Sequence, residues 1–400
     1  MRTIENITVC GGGNAAHVVI PLLKNEEFNV ILYTPFANEI AKFEMGAAQG
    51  GIISRDNKKG SLERSPDIIT SSPRVAAQSD LVLLVLPAYA HELTLKALAP
   101  YLPSEAIIGA IPARSGFELS AHYCLGGISQ KRTIFCGQTL PWACRIVEYG
   151  RQVQVLGTKE CIGLAAVPAE AAVEISAWLS NYLQVNFVPI TSSLAASLGN
   201  IGQVIHPGIM YGLLKNYDGA IWNEAEVPLF YQGVTDEVAA LMEHLSAEIM
   251  EIAAILTQKH GIDLHEVISV KQWLLRSYAA NIADKSTLAR AFRTNRSYRE
   301  LKMPVKKVAG GYIPDYQNRY LTEDIPFGLL YSKAVAKLVD CPTPFIDEVI
   351  STAGGWTGKR YLGTNGDLIG QDLAEARIPQ HYGIHVSGQL VQVSLGYSSP

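Results

Sequence analysis

Four hundred residues, 48% of them hydrophobic and 18% charged, provide for a large packed core in two or more domains and argue against disorder. A formal net charge of −4, with no Lys/Arg-rich run beyond short pairs, argues against a nucleic-acid surface. Six scattered cysteines without Cys-x-x-Cys spacing, and nine histidines without a ligand-spaced cluster, predict reduced thiols and no metal site.

The first predicted strand, Ile7 to Cys10, runs directly into Gly11, Gly12, Gly13, Asn14, Ala15 and Ala16. This reads as Gly-x-Gly-x-x-Ala, the turn that cradles a dinucleotide pyrophosphate at the start of a helix. Gly11 allows the tight turn, Gly13 the approach of the phosphates, and Ala16 close packing of the following helix. An ordinary glycine turn is the bland alternative, and the strand before and apolar helix after it speak for the nucleotide. The second strand, Asn29–Tyr33, ends without the acid that usually meets the adenine ribose, and no carboxylate follows until Glu39. Thr34 could bond a ribose and Phe36 could lie against adenine; both could equally be ordinary loop residues. With no Arg or Lys before Lys42, NAD is favoured over NADP.

Further apolar runs follow at 80–86, ending at Pro87-Ala88, and at 106–111, ending at Pro112-Ala113-Arg114-Ser115-Gly116. Thr133–Cys136 leads into Gly137-Gln138-Thr139-Leu140-Pro141-Trp142, and 152–156 reads as the last strand of this part. The alternation predicts an α/β, Rossmann-type doubly wound domain over 1–190. Residues 165–184 read as helix with a short break. An all-helical domain is expected over 191–400, with one long helix at 238–259 stopped by His260-Gly261. The run 81–90 is too short to span a bilayer, and no signal peptide or lipidation motif is recognised, so a cytoplasmic protein away from membranes is expected.

Two segments of the helical half carry candidate chemistry. His206 sits on an otherwise apolar stretch before Pro207, which is expected to bend or break the helix, with Gly202 and Gly208 leaving room for a ligand. A lone histidine there is more often a satisfied core residue. In Asn318–Gly328, Arg319 reads as a surface ion pair, and Thr322-Glu323-Asp324 as a cap for a helix starting near Ile325-Pro326.

The chain resembles the opine dehydrogenase family, closest to the octopine, tauropine, strombine and alanopine type of invertebrates. The resemblance spans nearly the whole chain, on CGGGNAAH (10–17), LPAYAHE (86–92), TLPWACR (139–145), LGTK (156–159), IHPGI (205–209), PLFYQG (228–233), NRYLTEDIP (318–326) and PQHYG (379–383). It implies NADH-dependent reductive condensation of pyruvate with an amine donor, re-oxidising NADH when oxygen is scarce, in a monomer. It further implies a catalytic set of His206 as proton donor, Arg319 as carboxylate clamp and Asp324 as the partner of the imidazole. The matching segments add Pro87, Ala88 and Cys144 to the cofactor side and Thr139 and Gln203 to the substrate side. Gln138 stands where arginine-using members are expected to carry Glu, and Arg114 where a neutral side chain is expected. That pair points to a small neutral amino acid or taurine as donor, Arg114 facing its carboxylate or sulfonate unless it is merely a solvated loop arginine. The alternatives are an NAD-dependent reductase of a small 2-oxo acid without an amine partner, and a non-catalytic NAD(H)-sensing protein.

Overall fold

Strands that are apolar on both faces are stable only with neighbours at each edge and layers on each side, which the first half of this chain supplies. The computed structural model describes residues 3–56, 58–126 and 132–396. Its strands in chain order are β1 (Asn6–Cys10), β2 (Asn29–Tyr33), β3 (Ile52–Asp56), β4 (Gly60–Arg64), β5 (Ile68–Thr70) and β6 (Leu81–Leu84). They continue with β7 (Ile107–Ala110), β8 (Ile134–Gly137), β9 (Trp142–Glu148), β10 (Gln152–Thr158), β11 (Ile162–Val167) and β12 (Phe187–Pro189). Eight of them form one sheet in the order β12-β11-β8-β7-β6-β1-β2-β5, parallel throughout except where β11 meets β8. The winding direction reverses beside β1, the point at which such sheets bind ligands at their carboxyl edge. A second sheet, β4-β3-β10-β9, lies apart from this order.

The chain forms two units, one of residues up to Ala196 together with those from Val391 onward, the other from Ser197 to Leu390. The last helix, Ser387–Leu395, brings the chain back to the first unit, where Leu395 O accepts from Ala169 N–H at 3.4 Å.

Three expectations change here. Residues 162–167 form buried strand β11, and the helix starts only at Ala171. Antiparallel pairing with β8 outweighs the helix preference of Ala165 and Ala166. Consequently 152–156 is not the last strand of the unit. Strands β3 to β5 escaped notice because they are short and largely polar or exposed, without clean alternation.

The second unit is predominantly helical, with one antiparallel hairpin, β13 (Val305–Val308) and β14 (Gly311–Pro314), turned at Gly310 with φ +90°. Its longest helix, Asp236–His260, starts at Thr235, whose hydroxyl accepts from Val238 N–H at 3.2 Å, and ends at Gly261 with φ +68°. Helix Gly202–Leu214 runs through Pro207 without breaking, its flanks Val204, Ile205, Ile209 and Met210 all buried. That burial outweighs the lost backbone bond, about 3 kcal/mol for an interior proline. Gly208 is required by packing, since a Cβ there would lie 2.8 Å from Met242 Cγ. None of the six cysteines is in a disulfide. Among the described residues no helix is long and apolar enough to cross a membrane.

Candidate active site

The three glycines of the first turn have different reasons to be glycine. Gly11 has φ +110°, and a Cβ would sit 2.6 Å from Leu86 Cδ2. At Gly12 a Cβ would meet the Tyr149 hydroxyl at 2.5 Å and Glu39 Oε2 at 2.6 Å. Gly13 has an unremarkable φ of −79°, and beyond the adjoining backbone no atom of the described residues lies within 4 Å of the place a Cβ would take. That open space at a helix N-terminus leaves room for a pyrophosphate. The turn is braced by His17, whose Nδ1 bonds Gly13 O at 2.9 Å while Nε2 accepts from Gly150 N–H at 2.8 Å. Two such bonds require the neutral ring, and burial lowers its pKa accordingly. Asn14 Oδ1 accepts from Ile146 N–H at 2.7 Å, and Ala15 and Ala16 are buried against the sheet.

The gap after the second strand is filled from the next helix. Thr34, fully buried, donates to Glu39 Oε2 at 2.5 Å, so a carboxylate does stand at the end of β2, five positions later than the usual pattern. Phe36 is exposed just before that helix. Ala88 is buried and Pro87 partly so at the carboxyl end of β6. Cys144 is 2% exposed within the core that includes Trp142, Val153 and Val155, and burial pushes its thiol up to about 11.

The proposed substrate residues of this unit come together at neighbouring strand ends. Ala113 N–H donates to Gly137 O at 2.9 Å, which puts Arg114 and Gln138 on adjacent loops. Arg114 holds φ +60°, an uncommon conformation for a side-chain-bearing residue. The Gln138 side chain covers Gly163, where a Cβ would lie 2.3 Å from Gln138 Oε1, and Thr139 beside it is partly buried.

In the second unit, His206 is joined to Asp324 by a 2.7 Å contact from Nδ1 to Oδ2. An ionised carboxylate only accepts, so Nδ1 carries the proton and Nε2 is the nitrogen left for chemistry. Asp324 is 1% exposed and His206 18%. Asp324 thus makes no side-chain cap for the turn Ile325–Leu329; Asn318 caps the preceding helix instead, accepting from Tyr320 N–H at 3.1 Å. The imidazole stacks on Tyr320 with centroids 4.1 Å apart, and Nε2 lies 3.1 Å from the Tyr231 hydroxyl. One position before Asp324, the buried Glu323 holds Arg319 through Nε at 2.8 Å and Nη2 at 2.6 Å, both on Oε2. Arg319 remains 56% exposed, so a guanidinium of fixed orientation still faces outward. Arg319 and Asp324 therefore share one short segment, which His206 joins from helix Gly202–Leu214.

Gln203 does not belong with them. It is fully buried, donating to Ser197 O at 3.4 Å and Leu198 O at 2.9 Å and accepting from Ser332 Oγ at 2.7 Å. With its amide committed to the protein it ties helices together and cannot meet a substrate in this arrangement. Sequence reasoning also missed Tyr231, although it lies in the matching PLFYQG segment, and Tyr320, Glu323 and His17. The exposed Asp263 and His265, with the partly buried Glu266, bring three potential ligand atoms within 4.8 Å; a surface turn with His265 Nδ1 at 2.8 Å from Asp263 Oδ1 accounts for it.

A family model described as NAD/NADP octopine/nopaline dehydrogenase, alpha-helical domain, matches residues 189–357. Octopine dehydrogenase of Mizuhopecten yessoensis is 37% identical over 95% of this chain and 96% of its own length. The chain belongs to the opine dehydrogenase family. Tauropine dehydrogenase of Arabella iricolor, another relative, is 31% identical over 95% of this chain and 98% of its own length. The structure of octopine dehydrogenase with NADH and L-arginine matches at a TM-score of 0.89 and 34% identity, covering 99% of both chains. A complex of octopine dehydrogenase with NADH and pyruvate matches at 0.86 and 33%, with the same coverage. As an opine dehydrogenase, this chain is an NAD-dependent oxidoreductase.

Proposed function

We propose that the enzyme condenses pyruvate with the amino group of a small neutral amino acid or taurine and reduces the imine to an N-(1-carboxyethyl) product. The observation that carries this reading is the His206–Asp324 pair, its carboxylate buried, with Arg319 on the same short segment as Asp324. Arg319, oriented by Glu323, takes the pyruvate carboxylate in a planar two-bond grip. His206 donates from Nε2 to the carbinolamine hydroxyl, which leaves as water while the nitrogen lone pair forms the C=N bond. Asp324 stabilises the imidazolium and fixes its ring. Gly13, with Asn14 and Glu39 close by, would hold NADH, which supplies the hydride when bound. On the donor side, Gln138 offers a neutral amide on the loop next to that of Arg114. A cationic donor side chain would there meet like charge and no acid from position 138, whereas a carboxylate or sulfonate finds a cation.

The test is NADH oxidation followed by absorbance with pyruvate and, in turn, taurine, glycine, L-alanine, β-alanine and L-arginine. Turnover that needs pyruvate plus one small neutral amine is expected. Turnover with pyruvate alone would make the enzyme a simple 2-oxo-acid reductase, silence throughout would favour a sensor, and arginine as best donor by about tenfold, some 1.4 kcal/mol, would overturn the Gln138 argument.

A further inference from the structure

Both nitrogens of His206 are occupied in the folded chain. Nδ1 is held by Asp324 at 2.7 Å, and Nε2, the nitrogen that must reach the substrate, faces the Tyr231 hydroxyl at 3.1 Å. From this geometry we propose that Tyr231 relays the proton of His206 to the substrate. The inference rests on the acid–base reading of His206.

Tyr231 is not a side chain that can step aside easily. Its ring is stacked on Tyr298 with centroids 4.1 Å apart and planes 17° apart, and meets the edge of Phe230 at 4.8 Å. The imidazole is equally confined between Asp324 and the face of Tyr320. Swinging either ring out of the contact would give up these aromatic pairs. A hydroxyl, by contrast, needs only to rotate its hydrogen. Tyr231 and His206 are both partly exposed, and the Tyr231 hydroxyl meets the imidazole at 3.1 Å, so a bound substrate can be reached through it. Burial and the neighbouring tyrosines Tyr320 and Tyr278 push its phenol well above the ordinary range, so it stays neutral and never competes as a phenolate.

The step balances without any further reactant. The Nε2–H proton of the imidazolium passes to the Tyr231 oxygen as the Tyr231 O–H proton passes to the carbinolamine hydroxyl. The C–O bond breaks, water leaves, the C=N bond forms, and phenol and imidazole both end neutral. In the reverse direction the same hydroxyl returns a proton to Nε2.

The experiment measures kcat, KM and the solvent proton inventory of kcat with pyruvate and the preferred amine, in the native enzyme, Tyr231→Phe, Tyr298→Phe and His206→Asn. Tyr231→Phe keeps the ring and both stacking partners, and should lower kcat about 10–100-fold with KM values within about twofold. The curved two-proton inventory of the native enzyme should become linear. Tyr298→Phe, which keeps the stack on Tyr231, should stay near native. The relay is overturned by a native kcat in Tyr231→Phe, by a linear inventory in the native enzyme, or by a fall in kcat that keeps the curvature and comes with a lower Tm. His206→Asn separates the two readings: if it is inactive while Tyr231→Phe is native, only the relay fails; if it is fully active, the acid–base reading beneath it fails.

Discussion

His206 and Asp324, 118 positions apart in the chain, meet at 2.7 Å with the carboxylate almost wholly buried. A carboxylate so placed decides which ring nitrogen carries the proton. Asp324→Asn offers an amide that can donate as well as accept, which permits the wrong tautomer. The expected outcome is a kcat lower by about 10²–10⁴-fold with little change in KM, read by steady-state NADH oxidation.

Arg319 owes its orientation to the buried Glu323, on which two of its nitrogens converge. Lysine keeps the charge and loses the planar two-bond grip. Arg319→Lys should therefore raise the KM for pyruvate by about tenfold or more while leaving Tm near native. Separate titrations of pyruvate and NADH check this; a rise confined to NADH would assign the guanidinium to the cofactor instead.

Specificity for the amine donor is tested at Gln138, whose loop is joined to that of Arg114 through the Ala113–Gly137 bond. Gln138→Glu changes no volume of note and places a negative charge at that strand end. Its kcat/KM for L-arginine relative to the best neutral donor should rise at least about tenfold. An unchanged ratio in the same assay would show that position 138 does not face the donor.

The glycine turn separates folding from binding. Gly13→Ala adds a methyl where the protein has no atom within 4 Å, so the fold should tolerate it with Tm shifted by only a few degrees, whereas NADH affinity should fall about tenfold or more. Gly12→Ala, which drives a Cβ to 2.5 Å from the Tyr149 hydroxyl, should lower Tm itself. Thermal melts and NADH fluorescence titrations on both variants distinguish the two effects.

Acid sensitivity is expected from His122, whose imidazole burial pushes down to about 4. Between that value and the ordinary value of about 6.5 the unfolded chain binds a proton that the folded chain refuses. Stability contributed by the neutral ring is complete above the ordinary value and falls as pH drops through this window, by about 1.4 kcal/mol per unit at most. Urea midpoints from pH 7 to 5 should decline less steeply in His122→Leu; equal slopes would remove His122 as the cause.

Local chemistry was sufficient for much of this protein. The strand–glycine–helix start, the four-residue core of β6 and the long helix ended by Gly261 were legible because each depends on neighbours a few positions away: a positive φ, a continuous apolar run, a 3.6-residue repeat. His206, Arg319 and Asp324 were also named in the sequence, through motif resemblance, as was Gln138. What local pattern does not encode is which distant groups share a hydrogen bond. Gln203, chosen from sequence as a substrate residue, is bound up with Ser332 from 129 positions away. Tyr231, within PLFYQG, lies 3.1 Å from Nε2 of His206, a contact no local pattern announces. Residues 165–167, read as the start of a helix, are strand because β8 had an edge to pair, a demand that exists only once the sheet has formed. Short-range sterics and periodicity belong to the sequence itself; long-range pairing, with the burial that makes an ion or a hydroxyl count, is decided by the tertiary fold.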